Sequence, residues 1–124
     1  LTAKSKHLLS SWEEISKHRI GYPRGYRLLD IRTKSMKALT AKDPVTIAKM
    51  VKAGRIDVGI VVTSDANRFV SKIGGIVILK PVIEVVTLYH YLNVKHRRLI
   101  PEMEIILINL NDSGRTKELI LGTN

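Results

Sequence analysis

Two short stretches of the chain combine residue types able to hold a small solute. In Pro23-Arg24-Gly25-Tyr26 a glycine opens the backbone so that N–H groups can face a ligand, while an arginine offers a cation and a phenol a hydrogen bond. In Val62-Thr63-Ser64-Asp65 two hydroxyls and a carboxylate stand together where a helix is expected to begin. Arg24, Gly25, Tyr26, Thr63, Ser64 and Asp65 are therefore the candidate ligand-binding residues. Each stretch also has a plainer structural use, Gly25 as a turn glycine between solvated arginines and Asp65 as a helix cap. Catalytic groupings do not form. His7, His18, His90 and His96 share no short metal-ligand spacing, Ser113-Gly114 lacks the context of a nucleophile elbow, and Glu13-Glu14 belongs to a helix start. No glycine-rich stretch ends in Gly-Lys-Ser or Gly-Lys-Thr, so a phosphate-binding loop is not expected. The residues thus describe a non-enzymatic chain with no cofactor and no metal.

The elements that must carry the two stretches follow from caps, breakers and periodicity. Ser11 with Glu14 forms a capping box for a helix over 12–17, and a brief strand over 19–22 ends at Pro23 and Gly25. A helix over 26–33 and a weak strand over 36–41 come next. Asp43 suits an N-cap and Pro44 the first helical position; Val45, Ile47, Ala48 and Val51 supply the apolar stripe and Gly54 the stop. The runs 57–62 and 76–79 read as strands buried on both faces, separated by a helix that Thr63, Ser64 or Asp65 can cap, that carries Phe69, Val70 and Ile73 and that ends at Gly74-Gly75. Alternating strands and helices need crossovers, and the economical architecture is α/β: a small doubly wound, mostly parallel sheet with flanking helices. In such a sheet ligands collect at the carboxyl ends of the strands, where both candidate stretches fall. Beyond Pro81 a β-branched run over 82–89, with His90 beside it, predicts a long strand. A helix over 96–110 capped by His96, with Leu99, Ile100, Met103, Ile106, Leu107 and Leu110 at steps of three and four, follows it. Gly114 stops that helix, a short one over 115–121 closes the chain, and Trp12 and Phe69 read as core residues.

With 124 residues, 44% hydrophobic and 26% charged, the chain suits one globular domain rather than a disordered or repetitive one. It has no cysteine, which excludes disulfide scaffolds and thiolate metal sites, and no apolar stretch long enough to span a bilayer. The net charge of +10 is uneven: residues 1–62 hold 13 basic and 5 acidic side chains, residues 63–124 hold 8 and 6. Such an excess attracts polyanions, which keeps a nucleic-acid or polyanion-binding domain as the alternative function. Only 5% of residues are aromatic and no nucleic-acid motif is present, so a basic solvated face is the plainer reading and nucleic acid is not the expected partner.

Four segments bring a family resemblance into view. Arg19-Ile20-Gly21-Tyr22-Pro23-Arg24-Gly25-Tyr26 resembles the strand, turn and helix that open the second lobe of bacterial extracellular solute-binding proteins of the amino-acid type, the type 2 periplasmic binding proteins. Lys52-Ala53-Gly54-Arg55-Ile56-Asp57-Val58 is similar to a later segment of that lobe, and the stretch from Leu88 through Tyr91 and His96 to Pro101 is similar to the family's tail. Asn111-Asp112-Ser113-Gly114-Arg115 continues the likeness, in order and spacing from about residue 10 to 121. The resemblance implies that residues 10–81 are lobe 2 and residues 82–124 the returning strand and helices. A first lobe would precede Leu1, consistent with the absence of an initiating methionine. It further implies an exported protein, periplasmic or extracellular, serving an ABC permease or a fused signalling domain by closing two lobes on a small solute; a degenerate relative in protein interaction is a weaker implication. In the family a small hydroxyl residue stands where Tyr26 is found and an acidic residue where Val62 is found, so an ordinary amino-acid specificity is not implied. Without the first lobe, the stripe of the 96–110 helix would be exposed, and a homodimer is expected.

Overall fold

Capping chemistry starts the first helix as expected. The Ser11 hydroxyl accepts the Glu14 N–H at 3.2 Å, and the Glu14 carboxylate accepts the N–H groups of Ser10 and Ser11 at 2.7 and 3.2 Å. This box opens α1 (Trp12–Ser16) in the computed structural model, which describes residues 1–2 and 9–121. His7 lies outside the described residues. Next come β1 (Ile20–Pro23), α2 (Arg27–Arg32), β2 (Leu39–Ala41), α3 (Pro44–Lys52), β3 (Val58–Gly59) and α4 (Thr63–Ile73). The Asp43 carboxylate accepts the Thr46 N–H at 2.7 Å to cap α3, with Pro44 behind it, and Gly54 takes a positive φ of 68° just past the helix end.

The three strands form a parallel sheet in the order β2-β1-β3, so the chain is α/β. Gly21 stands opposite Leu39 on one side and Gly59 on the other. Alternation along the strands separates two buried clusters. Ile20, Tyr22, Val58 and Ile60 join Ile15 of α1 and Leu29 of α2 in one, while Ile47, Ala48 and Val51 of α3 join Ala66 and Phe69 of α4 in the other. Both faces of the sheet are therefore covered. The paired glycines let α3 and the loop after it lie against the strands: a Cβ on Gly59 would stand 2.7 Å from Ile47 Cγ2, and one on Gly21 would stand 3.4 Å from Ile47 Cδ1 and 2.6 Å from Ile56 Cδ1.

An exposed ion pair closes the amino ends of β1 and β3, opposite the candidate site. Arg19 donates to Asp57 through its main-chain N–H, its Nε and its Nη2 at 3.0, 3.0 and 2.8 Å, and also to the Gly54 carbonyl at 3.0 Å. These donated bonds hold the Asp57 carboxyl down at about 2. A carboxylate that is more acidic in the folded chain than the ordinary value of about 3.9 stabilises the fold above that value and ceases to do so as pH falls through the folded one. The melting temperature should drop between about pH 4 and pH 2, and Asp57→Asn should flatten that part of the profile. An unchanged slope in the variant would show that the pair contributes nothing.

Three expected strands differ from the observed backbone. The run over 57–62 pairs with β1 only at Val58 and Gly59, with Ile60 adding one bond from its N–H to the Gly21 carbonyl at 2.9 Å. The run over 76–79 is reduced to one antiparallel bridge between Val77 and Thr2. Its neighbour is Leu1-Thr2: Leu1 exchanges main-chain hydrogen bonds with Gly59 at 2.7 and 2.8 Å while Thr2 exchanges them with Val77 at 3.1 and 2.8 Å. The β-branched run over 82–89 has no regular secondary structure: β-propensity alone makes no ladder, and no strand pairs with it.

The chain divides into two units, Leu1–Glu84 and Val85–Asn124. The second holds a 3-10 segment (Val94–Leu99), α5 (Ile100–Asp112) and α6 (Arg115–Leu121), with Gly114 at a φ of 75° between the last two. Asn93, not His96, caps this part, its side chain accepting the Lys95 N–H at 3.1 Å. Pro101 lies in the first turn of α5, where its missing N–H leaves no bond unmade.

Candidate functional site

Strand order decides where a crevice can form. From β1 the chain leaves through α2 to the face that α1 shares; from β3 it leaves through α4 to the opposite face, against α3. Adjacent parallel strands whose connections depart to opposite faces part their loops at the carboxyl edge, the topological switch point where open α/β sheets take ligands. The loops that part are those after β1 and β3. They carry all six candidate residues, numbers 24–26 and 63–65.

The first loop is fastened to the sheet by main chain. The Arg24 N–H donates to the Ala41 carbonyl at 2.7 Å, and Gly25 turns the chain at a φ of 94°. The Tyr26 carbonyl then accepts the N–H groups of Leu29 and Asp30 at 2.9 and 3.1 Å, opening α2. Arg24 and Gly25 are exposed and Tyr26 is half-buried. Beneath the loop, the Tyr22 hydroxyl donates to Asp30 at 2.8 Å and accepts from the Thr33 hydroxyl at 3.3 Å, so the start of α2 is tied back to β1.

The second loop corrects one expectation. Val62 is the N-cap of α4, with extended φ and ψ of −64° and 140°, and makes no side-chain capping bond. Thr63, Ser64 and Asp65 all lie within the first turn, so none of them caps the helix. The helix begins one to three residues earlier than a cap at Thr63, Ser64 or Asp65 would allow. Asp65 instead places negative charge at the positive end of α4. Thr63 is exposed, and Ser64 and Asp65 are half-buried.

The two loops meet electrostatically. Burial raises the affinity of the Tyr26 phenol for its proton, and the negative charge of Asp65 raises it further. At neutral pH this edge offers a protonated phenol, a carboxylate, two hydroxyls and the Arg24 guanidinium. Such groups bind and orient; no nucleophile with an adjacent base is among them. Beside Thr63 and Ala66 opens a cavity of about 110 Å³ with Leu9, Ile15, Ile60 and Ile83 in its walls. It has room for a small apolar group and falls well short of the roughly 300–1,000 Å³ of a drug-sized pocket. Among the described residues no group of three His, Asp or Glu side chains could hold a metal ion, and no helix is long and apolar enough to cross a membrane.

Glu84 was not singled out by sequence reasoning. Its carboxylate accepts Nε and Nη2 of Arg32 at 3.1 and 2.8 Å and the Trp12 indole N–H at 3.2 Å. The Arg32 guanidinium holds that carboxyl below its usual range, aided by Trp12. One carboxylate thereby joins α1, α2 and the wall of the cavity. The only advance signal is a charge inside an otherwise apolar run. Trp12 itself is half-buried, whereas Phe69 lies in the core as expected.

No protein-family profile, no curated protein and no solved structure matches this chain.

Proposed function

We propose that the chain is a non-enzymatic small-solute binding module whose site is the carboxyl edge between β1 and β3. The observation that carries this reading is the switch point itself: two loops, each with hydrogen-bonding and charged side chains, part there beside a small apolar cavity. Arg24, Gly25, Tyr26, Thr63, Ser64 and Asp65 would contact the solute, with Glu84, Asp30 and Thr33 positioning the first loop. In this proposal the module is one lobe of a solute-binding protein of the periplasmic type. A companion lobe would close over the solute, in the periplasm or outside the cell, for delivery to an ABC permease or to a fused sensory domain.

Amide-resolved NMR of the chain, titrated with free amino acids and short-chain carboxylates, tests the reading. Shifts should gather at Gly25, Tyr26, Thr63, Ser64 and Asp65 and vanish in Arg24→Ala combined with Asp65→Asn. Shifts confined to other regions would overturn it. A second reading has its own observation: Leu1–Glu84 carries sixteen basic and seven acidic residues, and residues 24–42 alone hold six bases against Asp30. If the chain is a polyanion binder, heparin or duplex DNA will bind at residues 24–42 with an affinity that falls steeply with salt.

A further inference from the structure

The cavity within Leu1–Glu84 meets the proposed solute site at Thr63, which stands both in its wall and in the loop after β3. The other walls come from separate elements. Ile15 of α1, Val58 of β3 and Ala66 of α4 are buried, so the inner side is closed core. Residues 78–84 form the outer side, without regular secondary structure, and Val82 there is 49% exposed. Glu84 fixes one end of this segment through the bonds its carboxylate accepts from Arg32 of α2 and Trp12 of α1.

The wall chemistry selects what can enter. Among the described residues that line it, only Thr63 and Glu84 have polar side chains, and the Glu84 carboxylate is already paired with the Arg32 guanidinium. A charged group would lose its water there without meeting a free counter-charge, which is costly. An alkyl group would instead leave water for apolar walls, which is favourable. Volume limits its length. A dry apolar cavity of about 150 Å³ holds benzene, so a cavity of about 110 Å³ has room, in proportion, for about four carbons.

We propose that this cavity is the tail subsite of the solute site: it takes an uncharged aliphatic chain of about four carbons whose polar head lies against the loops after β1 and β3. The inference rests on the solute-binding reading and adds the class of solute to it, a small amphiphile with a polar head and a short alkyl tail. Thr63, common to loop and wall, marks where head meets tail. Tail length is what the subsite discriminates. A shorter chain leaves apolar wall uncovered, and a longer one is turned back by the buried side of the cavity.

Amide NMR of the full chain, titrated with acetate, propanoate, butanoate, pentanoate and octanoate, tests the subsite. Affinity should rise about fourfold with each added carbon as far as pentanoate, roughly 60-fold from acetate, and gain nothing more at octanoate. Shifts at Ile60, Ala66 and Ile83 should grow with tail length beside those at residues 24–26 and 63–65. Val82→Phe, on the exposed side, should fill the space and bring the ratio of pentanoate to acetate affinity near one. Ile83→Ala should enlarge the cavity and move the limit to a longer acid, and urea midpoints followed by Trp12 emission show that both variants stay folded. Shifts in the two loops with equal affinity at every length overturn the subsite and leave the binding module standing. No loop shifts with any acid overturn the module and the subsite together. A gain that survives Val82→Phe, continues to octanoate in the unaltered chain, or keeps the same limit in Ile83→Ala overturns the subsite alone.

Discussion

Ile47→Ala is expected to destabilise the Leu1–Glu84 unit by about 2–5 kcal/mol, the range for deleting a large aliphatic side chain from a closed core. Ile47 is 0% exposed, and its methyl groups lie over Gly21 and Gly59 on neighbouring strands. Nothing larger than a hydrogen on either glycine can move in to fill the space. At the usual 0.05–0.15 kcal/mol per residue a unit of this size has a total stability of only about 4–13 kcal/mol, so the loss is a large share of it. The variant should therefore unfold partly near physiological temperature. Urea denaturation followed by Trp12 fluorescence measures the change. Val45→Ala on the same helix, at 41% exposed, should shift the midpoint by less than about 0.5 kcal/mol. Equal effects at the two positions would mean that α3 does not pack on the sheet as described.

Gly59→Val should cost about 1–3 kcal/mol or more, through the opposite defect. A Cβ there would meet Ile47 Cγ2 at 2.7 Å and Val51 Cγ2 at 3.0 Å, both on β-branched side chains with little freedom to swing away. Either α3 lifts from the strands or β3 shifts, and the loop that carries residues 60–65 moves with it. In the proposed binding module, loss of solute-induced shifts at Thr63–Asp65 should accompany the fall in stability. Combining Gly59→Ala with Ile47→Ala should cost less than the separate losses predict, because the added methyl enters the vacated space. Strict additivity would show that the two positions do not touch. Gly25→Ala is a useful contrast: space there is open, and any cost comes from the φ of 94°.

Punctuation and periodicity made much of the framework legible without coordinates. The capping box at Ser11 and Glu14, the Asp43-Pro44 start and the glycine stops at Gly54, Gly74 and Gly114 all act within a turn of their own position, and each is found where it was expected. Alternating elements were enough to anticipate a parallel sheet, since strands joined by helices run the same way. The candidate loops could be located for the same reason: in such a sheet they lie at carboxyl ends.

Pairing was not legible, because a strand is a property of two edges. Residues 76–79 and 82–89 have the composition of strands, yet one makes a single bridge to Thr2 and the other no ladder at all. Nor could the sequence show which loops would share a crevice; that follows from the order β2-β1-β3, which places β1 between its two neighbours.

The sequence by itself determined the capped starts at Ser11 and Asp43, the glycine stops, the α/β alternation, the charge imbalance and the absence of thiol chemistry, because these rest on single residues or on neighbours a few positions apart. Tertiary structure alone decided that Tyr26 would feel the charge of Asp65 and that Glu84 would join Trp12 to Arg32. It also decided that the barer side of α5 would be the one bearing Ile105 and Ile108. Those outcomes depend on contacts across tens of residues, and packing selects among many side chains that are locally equivalent.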